Sequence, residues 1–371
     1  MRRRDLVKGI VGSAATWPVI AVAQQSAIPV IGFLSFRSAN ESANSEAAFR
    51  EGLSEIGYSD GRNVHIAFRW AEGQKDRLPV LAADLVDNLH VAIIAAAGGG
   101  PSILAAKAAT KTIPIVFTFG ADPVKAGIVA NLSRPEENIT GVTWFGGDLA
   151  GKRVALLHDI APNISTLGFL ANPSDPDESS QRADVQGVAG RLNLKLVVMN
   201  ASTEREIDMA FATFAQQQVG AVVIASDPYL FSRREQIVSL AARQAMATVG
   251  SVSDEVAAGC LMSYGNSLKE AYRHAGLYVG RILRGAKPSE LPIERLAKFE
   301  FVINLTTAKK LGLTVPASFL SLADELRERC REPTPVTPQY AAFTTYKAAR
   351  IYFTRWRRGG SLAACCARTA A

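Results

Sequence analysis

From residue 28 onward, short β-branched runs alternate with amphipathic helical stretches, and the alternation runs through two successive units of similar size. Neighbouring parallel strands need a crossover of a dozen or more residues, which is what each intervening helix supplies. In the first unit the pattern predicts strands at 28–36, 64–70, 91–97 and 113–119, with helices at 42–56, 77–88, 101–110 and 122–132. Phe49, Leu53 and Ile56 fall at i, i+4 and i+7 on the first of these helices, and Gly57 ends it. In the second unit the pattern predicts helices at 149–160, 179–192, 204–217, 232–246 and 267–284. The strands there are expected at 166–171, 196–200, 221–225, 248–251 and 261–264.

The expected fold class is α/β: two doubly wound, Rossmann-like lobes joined by a hinge. Residues 28–145 form the N-terminal lobe and 146–325 the second lobe, with crossings expected at 134–145, 253–259 and 293–303. Ligands of open α/β sheets bind outside the carboxyl ends of the strands. Two such lobes facing each other place those ends around one crevice.

Charge and cysteine lie outside this body. The 371-residue chain carries a formal +7, and the whole excess sits in residues 327–371, where nine Lys/Arg face only Glu328 and Glu332. The first eight residues are basic as well, so the stretch between is mildly acidic. It gives no support to nucleic-acid binding, which needs dense phosphate neutralisation. Of four cysteines only Cys260 lies in the body, so no internal disulfide forms there and no pair has metal-site spacing.

Arg2-Arg3-Arg4 and Lys8 precede an uncharged apolar stretch, 9–22, and a small-x-small site, Ala21-Val22-Ala23. Residues 1–23 read as an export signal resembling the twin-arginine type; an uncleaved amphipathic start is the alternative. No later stretch approaches ~20 uninterrupted apolar residues, so the mature protein is expected to be soluble and periplasmic.

No P-loop, GxGxxG after a strand, HExxH or GxSxG occurs, and His65, His90, His158 and His274 are isolated in sequence. The chain reads as a non-enzyme needing no cofactor and no metal. Gly98-Gly99-Gly100-Pro101-Ser102 ends a strand and opens a helix, where backbone N–H groups suit a small anion; an ordinary tight turn has the same look. The ligand-binding candidates are the strand-end residues Ser35, Phe36, Gly99, Gly100, Ser102, Phe119 and Asp122 in the first lobe. In the second they are Asn172, Asp227 and Tyr229, with Trp144 a wall residue near the first crossing. Asp122 and Asp227 each precede a proline and also fit helix caps.

An ordered set of segments carries a family resemblance. Gly32-Phe33-Leu34, the stretch from Phe49-Arg50-Glu51-Gly52-Leu53 to Gly57-Tyr58, and Ala71-Glu72-Gly73 come first. LAAKAAT at 104–110, Ile113-Pro114-Ile115-Val116-Phe117, Asp122-Pro123-Val124 and Asn138-Ile139-Thr140-Gly141-Val142 follow. The set closes with Leu261-Met262-Ser263-Tyr264-Gly265, Gly285-Ala286-Lys287-Pro288, 299–305 and 309–313. Together these resemble the ABC transporter substrate-binding family that includes tryptophan/tyrosine-type binding proteins.

The resemblance implies a periplasmic-binding-protein-like fold of class I with three interlobe crossings, a monomer that delivers a small molecule to an ABC permease and its ATPase. It implies an amino-acid-type ligand with its carboxylate near Ser35, the 99–102 turn and the segment after Phe119. The ammonium or polar remainder would then meet Asn172 and Asp227. Three positions depart from the family pattern: Gly100 replaces a common threonine, Glu255 a common aromatic and Cys260 a common glycine. The basic 326–371 tail has no counterpart in the family and is expected to be disordered and dispensable after Glu325. A small-molecule-sensing domain of a regulator and a Rossmann-type enzyme are the other readings of such a chain; the first lacks a preceding helix-turn-helix, the second a phosphate fingerprint.

Overall fold

The computed structural model describes residues 28–135, 138–144 and 149–328. Residues 1–23, expected to be an export signal, and the residues from 329 on, expected to be a disordered tail, lie outside them.

Five strands of the first sheet follow the apolar runs: β1 (Val30–Ser35), β2 (His65–Trp70), β3 (Ile93–Ala97), β4 (Ile115–Phe119) and β5 (Ile139–Thr143). β3, β4 and β5 are buried along their whole length, as parallel strands covered on both faces must be. A short strand from far along the chain, β11 (Glu294–Arg295), completes the parallel order β2-β1-β3-β4-β5-β11.

The second sheet uses β6 (Thr166–Ala171), β7 (Lys195–Asn200), β8 (Ala221–Ile224), β9 (Ala247–Gly250), β10 (Met262–Asn266), β12 (Phe299–Asn304) and β13 (Glu325–Arg327). Its order is β7-β6-β8-β9-β10-β12-β13, with β12 antiparallel to β10. In both sheets the first strand of the unit sits between the second and third. The strand order therefore reverses at β1/β3 and again at β6/β8, and a crevice opens at each reversal.

The helices follow their sequence signals with some shifts. α1 (Ala39–Glu55) starts at a capping box of Ser38 and Glu41. The expected helix at 77–88 is a 3-10 turn, α2 (Leu78–Ala83) and a π turn at Asp84–Asn88. α3 (Gly100–Ala109) follows the glycine turn. No helix forms at 122–132: Asp122 closes a turn, and Gly127 at φ +67° breaks it. In the second unit stand α4 (Ala150–Ile160), α5 (Glu178–Arg191) and α6 (Glu204–Gln216). The helix expected at 232–246 is α8 (Arg234–Arg243), and a short helix the sequence pattern did not predict, α7 (Pro228–Ser232), precedes it across Arg233.

One of the three expected crossings is displaced. Residues 253–259 form α9 (Ser253–Ala258) within the second lobe, contacting β10 and β12. The chain crosses later, between β10 and α10 (Leu268–Leu283), and α10 packs on α1 of the first lobe. Glycines permit that approach: a Cβ on Gly52 would lie 1.9 Å from the Arg273 carbonyl oxygen, and one on Gly276 2.3 Å from that of Phe49. Residues 268–295, placed above with the second lobe, thus pack and pair with the first. The other crossings run from β5 to α4 and from β11 to β12.

The tail boundary also moves. Leu326 and Arg327 pair with Ile303 and Asn304 of β12, so a cut after Glu325 would remove part of β13. Two short helices, α11 (Leu305–Lys310) and α12 (Ala317–Leu322), precede it.

Each lobe has its own core. Phe169, Phe211 and Phe214 fill the second, and the last two meet edge to face at 5.6 Å. The first sheet buries Phe33, Phe49 and Tyr272 under α1 and α10, and Leu34, Leu78 and Phe117 on its other face. Each such side chain stabilises the fold by about 1.5–3 kcal/mol. The α1/α10 cluster also takes in Phe231 and Val252 of the second lobe, joining the lobes beside the cleft.

Candidate functional site in the interlobe cleft

The cleft is built where the two strand orders reverse. At the end of β1, Ser35 is buried and its Oγ accepts the Arg37 N–H at 3.1 Å, turning the chain so that Arg37 faces the cleft. Phe36 packs into the core instead. At the end of β3, Gly98 has φ +79°, and a Cβ there would lie 2.9 Å from Ser35 Oγ and 3.0 Å from the Phe36 nitrogen. Only glycine lets the two strand ends meet this closely. Gly99, at φ +115°, faces the other lobe, and its Cβ would lie 2.7 Å from Pro228 Cγ.

β4 delivers Thr118 and Phe119 to the wall, followed by Gly120 and Ala121. Thr143 Oγ1 is within hydrogen-bond distance of the carbonyls of Phe119 and Ala121, 3.0 and 2.8 Å, and fixes that turn under Trp144. The opposite wall begins at the end of β6. Asn172 Oδ1 accepts from the Ser174 N–H, and its Nδ2 donates to Asp227 Oδ2 at 3.1 Å. Asp227 Oδ1 accepts the Leu230 N–H at 2.8 Å, capping α7. Asp175 accepts from the Asp177 N–H and from Gln181 Nε2. Ser251 and Val252 after β9, with Leu268 and Tyr272 of α10, close the cleft. It encloses about 620 Å³ of empty space, part of it open to solvent.

Three of the ten candidates, Gly99, Phe119 and Asp227, line this space together. The other seven do not. Ser35, Ser102 and Asn172 are buried behind the walls, where Ser35 and Asn172 orient Arg37 and Asp227. Ser102 Oγ has no hydrogen-bond partner among the described residues. Gly100 would place a Cβ 3.5 Å from the Phe119 ring, outside the lining. Asp122 accepts the N–H groups of Val124 and Lys125, a turn cap as its neighbouring proline allowed. Tyr229 turns away to meet the Arg233 guanidinium 5.7 Å from its ring. Phe36 belongs to the core.

Charge is divided between the walls. Arg37 is 7% exposed, with Nε and Nη1 unpartnered among the described residues. Its guanidinium lies 4.1 Å from the centre of the Phe231 ring of the other lobe, a cation–π contact. Thr118 Oγ1 is likewise buried on the first wall without a partner. On the second wall burial pushes the Asp227 carboxyl up, against the pull of its hydrogen bonds to Leu230, Asn172 and Tyr229 and the charge of Lys75. Burial and the neighbouring Asp227 push Asp175 up to about 7. The cleft can therefore hold an anionic group against Arg37 and Thr118, a cationic group against Asp175 and Asp227, and an apolar body among Phe119, Trp144 and Tyr272. Among the described residues no three His, Cys, Asp or Glu side chains are grouped to hold a metal.

Residues 12–327 match the ABC transporter substrate binding protein family. The chain belongs to that family. A tyrosine-binding protein of Clostridioides difficile (strain R20291) is 26% identical over 265 residues, 71% of this chain and 75% of the relative. An ABC domain of Streptococcus pneumonia solved with L-Trp is 26% identical, covers 81% of this chain and 99% of its own, and superposes with a TM-score of 0.73. A conserved domain protein of Vibrio cholerae superposes equally well, at 0.73, with 25% identity over 81% of this chain and 100% of its own. The fold is thus periplasmic-binding-protein-like of class I.

Sequence reasoning missed several lining residues of this binding protein. Arg37 stands two positions beyond the last residue of β1, and Asp175 four beyond β6 in a Ser-Asp-Pro turn. Their carboxylate and guanidinium chemistry was the available signal. Phe231 is two residues from Tyr229 on α7, and only the helix's rotation decides which ring faces inward. Leu268 and Tyr272 share a helical face, but a rule about strand ends does not reach a helix.

Proposed function

We propose that the protein is the receptor of an ABC importer, and that it captures a free amino acid in the interlobe cleft and hands it to a membrane permease driven by its ATPase. The observation carrying this reading is the placement on one wall of the Arg37 guanidinium, whose Nε and Nη1 have no hydrogen-bond partner among the described residues, and of the Asp227 carboxylate on the other. Such a pair matches the carboxylate and ammonium of a zwitterion. A ligand that touches both walls stabilises the closed arrangement, the only way it can shift an open–closed balance. The relatives named for tyrosine and solved with L-Trp support an amino acid as the ligand class. The basic, then apolar, leader supports export to the periplasm. No helix among the described residues is long and apolar enough to cross a membrane.

The test is a thermal-shift screen of the full chain against L-amino acids, organic acids, sugars and nucleosides. A ligand present at about 100 times its Kd adds roughly 2.7 kcal/mol of stability and raises the melting temperature visibly. Arg37→Gln and Asp227→Asn should each weaken the amino acid that scores by at least about tenfold, since each removes a charge-assisted contact. A screen in which only sugars or nucleosides shift the melt would sink the amino-acid reading.

A further inference from the structure

An amino acid brings one α-ammonium group to the second wall, where two carboxylates wait. Asp175 comes from the loop after β6 and Asp227 from the loop after β8. Gln181 of α5 joins the loops: its Nε2 donates to Asp175 Oδ2 at 3.3 Å and to the Ser226 carbonyl at 3.2 Å, and its Oε1 accepts the Ser226 N–H at 2.7 Å. The hydrogen bonds to both carboxylates come from neutral donors, backbone N–H groups and side-chain amides. The other charges bearing on Asp175 are acidic: Asp177 and Glu178 from its own loop and α5, and Asp227 across the gap. From the first lobe Lys75 acts on Asp227, and Arg37, with two nitrogens that have no hydrogen-bond partner among the described residues, lines the same cleft.

We propose that Asp175 and Asp227 form a two-carboxylate seat for the ligand's cationic group, and that a proton competes with the ligand for it. The proposal rests on the amino-acid reading above. Two neighbouring buried carboxylates resist ionising together, so one of them keeps a proton to higher pH. Burial and Asp227 hold Asp175 in that role, with its proton retained to about pH 7. An arriving ammonium favours the ionised form of both groups. Asp175 then gives its proton to solvent, and the ammonium takes its place between the carboxylates. Binding releases a proton, so affinity falls in acid, about tenfold for each pH unit below the value of the free seat. The seat also selects ligands: an amino acid is accepted, and the hydroxy acid of the same skeleton, which has no cationic group, is rejected.

Carboxyl carbon NMR on the full chain, wild type and Asp175→Asn, tests the seat before any ligand is chosen. The wild type should show one carboxyl titrating near pH 7, absent from Asp175→Asn. Saturation with an equimolar mixture of the twenty common L-amino acids should lower that midpoint by at least about one unit. Isothermal titration with the amino acid responsible should then give about tenfold weaker binding at pH 6 than at pH 8, and a flat profile in Asp175→Asn. No carboxyl near pH 7 overturns the proposal whatever the ligand. A midpoint that stays in place while the mixture raises the melting temperature overturns the competition and leaves the amino-acid reading standing. A mixture that shifts neither the melt nor the midpoint removes that reading and this one with it.

Discussion

The first-lobe wall of the cleft is shaped chiefly by backbone, the second-lobe wall by buried side chains. In the first, Gly98 and Gly99 hold left-handed conformations that bring the ends of β1 and β3 together. In the second, every loop that reaches the cleft is tied by a buried polar side chain. Asn172 holds Asp227, Gln181 holds Ser226 and Asp175, and the Glu255 carboxylate accepts the N–H groups of Ser251 and Val252 at 2.6 and 2.9 Å. Both walls stand at equivalent reversals of strand order. The same topology is thus finished in two ways, one set chiefly by conformation and excluded volume, the other by buried polar side chains. The two should fail differently when altered.

The largest effect is expected behind the second wall. Arg153 on α4 is fully buried, with Nε donating to the Tyr264 carbonyl at 3.2 Å, and its charge faces those of Glu255 and Asp184. Burial holds the Glu255 carboxyl above its usual range, and the Arg153 charge pulls it back. Arg153→Met removes one of the two arginine charges that act on the buried Glu255, leaving it Arg234 and the Ser251 and Val252 N–H groups, and should destabilise the protein by about 3 kcal/mol in urea unfolding. Glu255→Gln should cost less, because the amide oxygen still accepts from Ser251 and Val252. An Arg153→Met protein as stable as the wild type would show that the network contributes packing alone, and the contrast between the walls would lose its basis.

The first wall should lose binding with much less loss of fold. A valine at Gly99 meets two obstacles: φ +115° is unfavourable for a β-branched residue, and its Cβ would press on Pro228 Cγ of the other lobe. The backbone strain is on the order of 1–3 kcal/mol. The clash acts mainly on the approach of the lobes, so Gly99→Val should weaken the ligand at least about 100-fold, roughly 2.7 kcal/mol, in isothermal titration. Undiminished affinity would mean that ligand binding does not need the Gly99–Pro228 contact.

The same contrast explains what the sequence disclosed. The backbone-made wall was largely legible, because glycines at the end of an apolar run announce a turn whatever surrounds them. Gly99 was reached in this way, and Phe119 and Asp227 as residues at or just beyond strand ends. The strands were legible too, since 93–97 and 115–119 are unbroken apolar or β-branched runs. The side-chain-made wall was not. Asp175 earns its character from Asp227, which is 52 positions away in the chain and adjacent only once β6 and β8 are paired. The amphipathic period of α10 showed that one face is buried, but the partner is α1, more than 200 residues earlier. The glycine contacts that let the two helices meet have no local signature. Hence the second crossing was placed at 253–259, where turn-forming residues are visible, and not at the short strand-to-helix step after Asn266.

Asp175 offers the smallest effect and the one most particular to its wall. Its carboxyl holds its proton to about pH 7 in the folded protein, against an ordinary value of 3.8. Between roughly pH 4 and 7 the folded state therefore binds a proton that the unfolded chain has released, and stability falls as pH rises through that window. Above it the buried negative charge is a constant cost. Asp175→Asn removes this cost and should stabilise the protein at pH 8 by about 1–2 kcal/mol, the full shift being discounted for the solvent that still reaches the group. At pH 4.5, where the native aspartate is protonated and neutral like asparagine, the gain should shrink toward zero. Chemical unfolding of both proteins at the two pH values measures the difference directly. A gain of equal size at both would mean that the substitution acts through packing or hydrogen bonding. A gain confined to high pH would show that the second wall keeps a carboxylate at the expense of stability, as binding sites often do. No residue assigned to the first wall should show this pH dependence, because Gly98, Gly99, Thr118 and Phe119 carry no group that titrates in the range.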